Sequence, residues 1–356
     1  MCVRETERDG MTIRTAKLSD YPGMAALWNL CVDRGEVLYA RVTPEKLREL
    51  FMRGEGRREA FCLVCAEGGE VLGLIQGVPP MSFQLARPGY AYLTTLLVDP
   101  RYRGRGVGTS LLQRLTDAAR GEGGEHLMIS SLNPVQITWT IPGTPGHDHN
   151  NMPGLDTDCA GAGFFRRRGF EERHREVSMY LDLSGYVFPE KVEEIRKRLR
   201  AEGIEAGVHD PTVPCEFDEM CTRVDSDYWR SVLRTELEAW KRHEPNRDER
   251  FWPDGRRPKG PRTLLTAVKD GHMVGFTGPV DMQESGRGWF TGICTDPLYE
   301  RRGIATVLFN LLMRAFVEEG ARFSSLFTGV ENHAQKIYRT AGFEPRRCFA
   351  IMDRKI

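Results

Sequence analysis

The sequence predicts two tandem domains of mixed α/β (α+β) class, and three observations carry that reading. A repeat comes first: DPRYRGRGVGTSLL at 99–112 recurs as DPLYERRGIATVLF at 296–309. Each copy also stands in the same frame, after an apolar, threonine-containing run (YLTTLLV, FTGICT) that reads as a buried strand and before an apolar periodicity that reads as a helix. Finally, 356 residues exceed the usual size of a single core.

The elements follow in order. Residues 1–10, MCVRETERDG, are too charged for a signal peptide and read as a disordered extension ahead of Met11. TIRTAKL reads as a strand, and Ser19 and Asp20 are N-cap candidates for the helical stretch YPGMAALWNLCVDRG. AFCLVCAEGGEVLGLIQGV is a hairpin, and its Cys62 and Cys65, a C-x-x-C without a second pair, read as core. The second half repeats the hairpin as LLTAVKDGHMVGFTGPV, with Asp270-Gly271 as its turn. After each glycine turn comes a helix ending near a glycine (LLQRLTDAARGEG, LFNLLMRAFVEEG), then a short strand (HLMISSL, FSSLFTG). A terminal pattern closes each half, FFRRRGF at 164–170 and IYRTAGF at 337–343. The boundary is expected between VSMYLDL and the amphipathic PEKVEEIRKRLRAEG. That gives a first domain over 11–184, a linker helix over 185–203 and a second domain over 204–356.

Register within the repeat exposes an insertion. Gly106 and Gly303 lie 197 residues apart but Gly169 and Gly342 only 173, so the first half carries 24 extra residues, mostly within 133–158. A proline- and glycine-rich loop of this length is a substrate-contacting or interdomain element, or a surface insertion, and Trp139 and PGLD at 153–156 give it apolar anchors. His147, Asp148 and His149 are adjacent, and adjacent ligands without a distant partner cannot enclose a metal ion.

Fifty basic residues balance fifty acidic ones, so no net field points to nucleic acid or to an anionic membrane. Nine scattered cysteines suit a reducing cytoplasm, and no stretch reaches the roughly 20 apolar residues of a membrane span. What the repeat does encode is an anion site. Backbone N–H groups in a first helical turn lack intrahelical partners, the helix dipole adds partial positive charge, and Gly106 and Gly108 let that backbone approach a phosphate.

On these residues both halves resemble the GNAT superfamily of N-acetyltransferases, whose acyl-CoA signature is R/Q-x-x-G-x-G/A. The first half has it as Arg103, Gly106 and Gly108; the second has Gly303 and Ala305, but Glu300 where Arg or Gln is expected. The resemblance implies a mixed, mostly antiparallel central sheet flanked by helices in each half. It also implies acetyl-CoA as acyl donor, no metal, and a small-molecule primary amine as acceptor, in a cytoplasmic monomer or homodimer. Acyl-CoA contacts are expected from Leu97, Val98, Arg103, Gly104, Arg105, Gly106, Val107, Gly108 and Thr109 in the first half. In the second they are expected from Ile293, Cys294, Arg301, Arg302, Gly303, Ile304, Ala305 and Thr306, with Asn332 near the pantetheine arm or serving as a helix cap.

Members of the family protonate the departing thiolate with a tyrosine before the final G-F. The second half has Tyr338 there, whereas the first has Phe165. Catalysis is therefore assigned to the second half, because backbone cannot replace a lost proton donor. Asp281, Glu284 and His333 are regional candidates for a base, and Trp229, Trp240, Phe251 and Trp252 either pack a core or line an acceptor cavity. Three alternatives stay open: catalysis in the first half, acyl-CoA binding without turnover, and a protein amine as acceptor.

Overall fold

The structure is a computed structural model that describes residues 6–8, 10–54, 56–84, 86–145, 152–213, 215–242, 261–283 and 285–356. His147, Asp148, His149, Phe251, Trp252 and Glu284 lie outside the described residues, as does the side chain of Trp240.

The chain forms two compact units, and their limits differ from the expected ones. Unit 1 comprises 1–177 together with 347–356, and unit 2 comprises 178–346. The division thus falls ahead of the expected 184–203, and the last ten residues return to the first unit.

In unit 1 the strands and helices run β1 (Thr6–Arg8), β2 (Met11–Thr15), α1 (Tyr21–Asp33), α2 (Pro44–Met52), β3 (Cys62–Glu67), β4 (Glu70–Val78), β5 (Tyr90–Val98), α3 (Val107–Gly121), β6 (His126–Ile129), β7 (Leu155–Asp156), α4 (Gly161–Arg166) and β8 (Glu171–Asp182). Strand β8 ends in unit 2. The sheet order is β1-β2-β3-β4-β5-β6, antiparallel except for the parallel β5–β6 pair. Within the stretch 1–10 expected to be disordered, residues 6–8 pair with β2, and Gly10 ahead of β2 has a φ of 79° that suits glycine. The Asp9-Gly10 dipeptide was a readable hairpin signal.

Cys62 and Cys65 are both 1% exposed, but their odd spacing on a strand sends them into cores on opposite sheet faces. Asp20 precedes α1, yet its carboxylate makes no cap bond. It accepts from Arg14 Nη1 at 2.5 Å and from the Lys17 N–H at 2.6 Å.

Unit 2 runs α5 (Glu190–Ala201), β9 (Glu205–Val208), α6 (Asp218–Arg223), α7 (Asp227–Arg242), β10 (Leu265–Lys269), β11 (His272–Gly278), β12 (Asp281–Met282), β13 (Arg287–Trp289), β14 (Gly292–Thr295), α8 (Ile304–Glu318), β15 (Phe323–Gly329), α9 (Gln335–Thr340) and β16 (Glu344–Lys355). From Arg347 onward, β16 belongs to unit 1. The β10–β11 turn places Asp270 at φ 51° and Gly271 at φ 80°, the two left-handed residues of a tight hairpin.

Strand exchange explains the unexpected limits. The end of β16 pairs antiparallel with β6, Met352 opposite Ile129 and Lys355 opposite His126, and Phe349, Ala350 and Met352 are each at most 1% exposed in the core of unit 1. In return, the end of β8 serves unit 2, where the Leu183 N–H donates to the Arg322 carbonyl at 2.9 Å and Tyr180 stacks on Phe323. Both tails follow a G-F and carry the same apolar alternation, so either could finish either sheet.

Candidate active site

Each unit builds the same turn from its copy of the repeat. Asp99 is 4% exposed and its carboxylate accepts the Arg101 N–H at 2.8 Å; Asp296, fully buried, accepts the Leu298 N–H at 3.0 Å. Each carboxylate is charge-paired, Asp99 by Arg101 in its own turn and Asp296 by Arg223 from α6, with Nη2 to Oδ2 at 2.6 Å. Gly106 and Gly303 then cap α3 and α8 at the same left-handed φ of 90°. Ser110 and Val307 are the first residues to donate back into their helices, at 2.9 and 3.0 Å. The N–H groups ahead of them, those of Val107, Gly108 and Thr109 and of Ile304, Ala305 and Thr306, form the cradle an anion needs.

The hydrogen bond from Arg101 holds the Asp99 carboxyl below the usual carboxylate range. Its contribution to stability is therefore present above the unfolded value of about 3.9 and is lost as pH falls through the depressed folded value. Asp99→Asn should lower the melting temperature at pH 7 and narrow its gap to the wild type below about pH 4, in a pH series of thermal melts. A constant gap across that series would remove Asp99 from this role.

Signature residues differ in what they hold. Arg103 does not extend toward the cradle: its Nε donates to the Val98 carbonyl at 3.0 Å and its Nη2 to Glu36 at 2.5 Å, bracing the turn against the strand. In unit 2, Glu300 is exposed and makes no such brace, but α5 reinforces the turn from outside. Arg198 donates to the Arg302 carbonyl at 2.6 Å, and Ile195 lies 2.7 Å from where a Cβ on Gly303 would stand. Arg301 holds the left-handed conformation (φ 60°) that Gly104 supplies in unit 1 (φ 77°), at a cost of about 1 kcal/mol. Arg302 pairs with Glu202 at 3.0 Å.

On the unit 1 side the corresponding flank is a groove of about 210 Å³ beside Arg105, Gly106 and Val107. Leu97 is buried, Cys294 packs against Phe276 and Leu233, and Ile293 lies in β14. Thr109 accepts from Arg168, whose guanidinium lies 3.7 Å from the centre of the Phe164 ring.

The second half of each site is a split in the sheet. In unit 1, β5 and β6 pair only from Tyr90–His126 to Tyr92–Met128 and then part, with Thr94 as the extra residue of a bulge against β4. In unit 2 the chain equivalent to β5 breaks in two. β13 pairs in parallel with β15, Gly288 opposite Ser324, whereas β14 leaves to pair with β11. At this apex Thr291 Oγ1 and Ser325 Oγ are buried without a hydrogen-bond partner among the described residues. The equivalent hydroxyl in unit 1, on Thr94, is taken up by Asn133 Nδ2 at 2.8 Å. Sequence reading missed these hydroxyls, although a threonine recurs at the same frame of both strand runs.

Tyr338 is linked to that apex through packed rings. On α9 its ring packs 5.0 Å from Phe309, which in turn lies 5.6 Å from Phe290, the first of the two residues between β13 and β14. It is 8% exposed, and burial raises its phenol above the ordinary value. Among the described residues its hydroxyl makes no hydrogen bond. Phe165 takes the matching place in unit 1, 5.2 Å from Phe170, with no proton to give. Asn332 spends its amide on its own loop, donating to Thr328 Oγ1 and accepting the Ala334 N–H, each at 2.9 Å. Asp281 lies across the ladder from Trp289, whereas His333 is exposed. Trp229 packs on Gly292 and edge-on to Phe276, as core. Among the described residues no group of three His, Cys, Asp or Glu could hold a metal, and no helix is long and apolar enough to cross a membrane.

Comparison with known proteins agrees with this geometry. The model of the acetyltransferase (GNAT) family matches residues 22–137 and again 224–343. Among solved structures, the chain is similar to the glucosamine N-acetyltransferase region of a fungal multi-domain GH3 β-N-acetylglucosaminidase, with a TM-score of 0.61 and 17% identity over 98% of this chain. It spans only 38% of that protein. A GCN5-related N-acetyltransferase from Sphaerobacter thermophilus has a TM-score of 0.53 and 18% identity, covering 98% of this chain and 97% of its own. A tandem GNAT protein from the clavulanic acid biosynthesis pathway has 0.52 and 16%, covering 97% and 98%. No curated protein matches by sequence.

Proposed function

The chain belongs to the acetyltransferase (GNAT) family, and from that membership we propose that unit 2 transfers the acetyl group of acetyl-CoA to a primary amine of a small molecule. The observation that carries this assignment is the exchange of Tyr338 for Phe165 at one structural position, beside otherwise equivalent cradles.

The cradles fit the donor. The first-turn N–H groups of α8 offset pyrophosphate charge, and the edge of β14 facing away from β11 offers backbone to an amide-rich arm. Acetyl-CoA supplies the acetyl group and a thiolate leaving group. Tyr338 keeps its proton at neutral pH because burial disfavours the phenolate, and it gives that proton up as the thiolate departs. Phe309 and Phe343 pack against its ring and hold it in place. Asp281 is the base candidate that the β12–β13 ladder brings beside the split. Glucosamine, for which the fungal N-acetyltransferase region is named, is the first amine to assay for CoA release.

The orphan hydroxyl of Ser325 separates a substrate contact from a structural one. Ser325→Ala removes a buried group that has no hydrogen-bond partner among the described residues, so stability should hold or rise by up to about 1 kcal/mol. If the hydroxyl bonds a reactant, kcat/KM falls by about tenfold, the worth of one hydrogen bond. Paired thermal melts and steady-state kinetics check this, and unchanged kinetics would exclude Ser325 from the site.

A further inference from the structure

We infer that Arg198 of α5 is a positioning residue for the unit 2 cradle: it orients from outside the turn that Arg103 orients from within in unit 1. Acetyl-CoA affinity in unit 2 then depends on a side chain that lies about 100 residues ahead of the repeat's own loop. The inference rests on the transferase reading above for the identity of the ligand.

The unit 2 turn lacks two supports that unit 1 carries in its own sequence. Where unit 1 has Arg103, whose guanidinium reaches the Val98 carbonyl at 3.0 Å, unit 2 has Glu300 on nearly the same backbone, φ −61° and ψ 160° against −66° and 153°. An ionised carboxylate has no hydrogen to donate to a strand carbonyl. Where unit 1 has Gly104, Arg301 holds φ 60°, and a residue with a Cβ keeps that conformation only when its surroundings over-determine it. Gly303 nevertheless reaches the same φ of 90° as Gly106. The support that restores it comes from α5.

Helix α5 directly precedes the first strand of unit 2, β9, and is anchored independently of the turn. Val192 and Leu199 are fully buried, and Arg196 Nε donates to the Ala206 carbonyl of β9 at 3.2 Å. So fixed, the helix meets the turn at three points. Arg198 Nη2 donates to the Arg302 carbonyl at 2.6 Å, and Glu202 accepts from Arg302 Nη1 at 3.0 Å. Ile195 Cγ2 lies 2.7 Å from where a Cβ on Gly303 would stand, so a side chain there would have to displace the helix residue. Across a trans peptide the carbonyl and the N–H point in opposite directions. The bond to the Arg302 carbonyl therefore turns the Gly303 N–H away from α5 and sets the peptide plane that leads into the first turn of α8, where the N–H groups offered to pyrophosphate begin. In unit 1 no helix precedes β2 among the described residues, and the same flank is the open groove in which Met11 and Ile13 of β2 face Arg105 and Gly106.

The test is calorimetry of the full chain with CoA, beside thermal melts and steady-state kinetics. Arg198 is exposed, so Arg198→Ala leaves the buried face of α5 in place, and the melting temperature should stay within about 2 °C of the wild type. CoA should bind unit 2 about tenfold more weakly, the worth of a hydrogen bond from a charged donor, and KM for acetyl-CoA should rise by the same factor while kcat moves by less than about twofold. The loss should be equal at about 0.05 M and about 0.5 M salt, because support of the backbone is not screened as attraction between a guanidinium and a phosphate is. Arg196→Ala, which removes a bond from the same helix to β9, should leave CoA affinity unchanged. Unchanged affinity in Arg198→Ala, an equal loss in Arg196→Ala, or a melting temperature far below the wild type would each overturn the inference, the last two by making the residue merely structural. A loss that shrinks severalfold at high salt would make Arg198 a direct phosphate contact and overturn it as well. Failure of the transferase reading shows separately, as CoA binding without Tyr338-dependent amine turnover, and leaves the calorimetric comparison intact.

Discussion

Tyr338→Phe should lower kcat by about 10²–10⁴-fold, the range for loss of a positioned general acid, while KM for acetyl-CoA moves by less than about twofold. The split between the two constants follows from geometry. Tyr338 packs on Phe309 and Phe343, and phenylalanine keeps those ring contacts. The deleted hydroxyl has no hydrogen-bond partner among the described residues, so melting should shift by no more than about 0.5 kcal/mol equivalent. The pH dependence is a second readout. Burial raises the phenol above its ordinary value of about 10, so the acid stays loaded across the neutral range and the limb it governs lies above pH 10. That limb should vanish in the variant. Stopped-flow detection of released thiol separates the chemical step from product release, and a variant with wild-type turnover would place the acid elsewhere.

The second large effect is expected from removing 347–356. If each compact unit followed the order of the chain, this truncation would damage the second unit; strand exchange directs the damage to the first. Phe349, Ala350 and Met352 leave the core of unit 1, and burial of each large apolar side chain contributes about 1.5–3 kcal/mol. Asp156 loses its Arg347 partner and Arg173 loses Asp353, a contact of 2.5 Å. Leaving a buried carboxylate uncompensated adds about 3 kcal/mol or more. The total is on the order of the 5–15 kcal/mol that stabilises a whole domain, so unit 1 should unfold. Trp28 and Trp139, each at most 1% exposed there, report the loss as a red shift in fluorescence. A synthetic peptide of 344–356 added in trans should reverse it. A truncated protein that melts like the wild type, with unshifted emission, would show that the strand is dispensable to unit 1.

Much of the site was legible because its signals are short-range. The two Gly caps at φ 90°, the Asp99 and Asp296 turns and the Asp270-Gly271 hairpin are each determined by a few adjacent residues whose backbone preferences do not depend on the rest of the chain. Tyr338 against Phe165 was visible by alignment of the repeat alone. Arg103 was legible as a residue but not as a role: its position in the signature says nothing of Glu36, which closes the brace from 67 residues away.

What the sequence by itself determined, then, is two copies of one α/β unit, each with a glycine-capped helix start after a buried aspartate turn, and a tyrosine before the terminal G-F in only one. Tertiary structure alone decided the rest. EERHREVSMYLD and EPRRCFAIMDRK present the same alternation after the same G-F, so no local preference assigns either strand to a sheet; contacts such as Arg347 with Asp156, 191 residues apart, do. The described legs of the insertion, 133–145 and 152–158, likewise have no periodicity that announces their place, and only burial against 38–40 and pairing with the C-terminal strand fixes it. Both decisions depend on which distant surfaces meet, because the apolar burial that drives them is non-directional and favours any partner of matching shape.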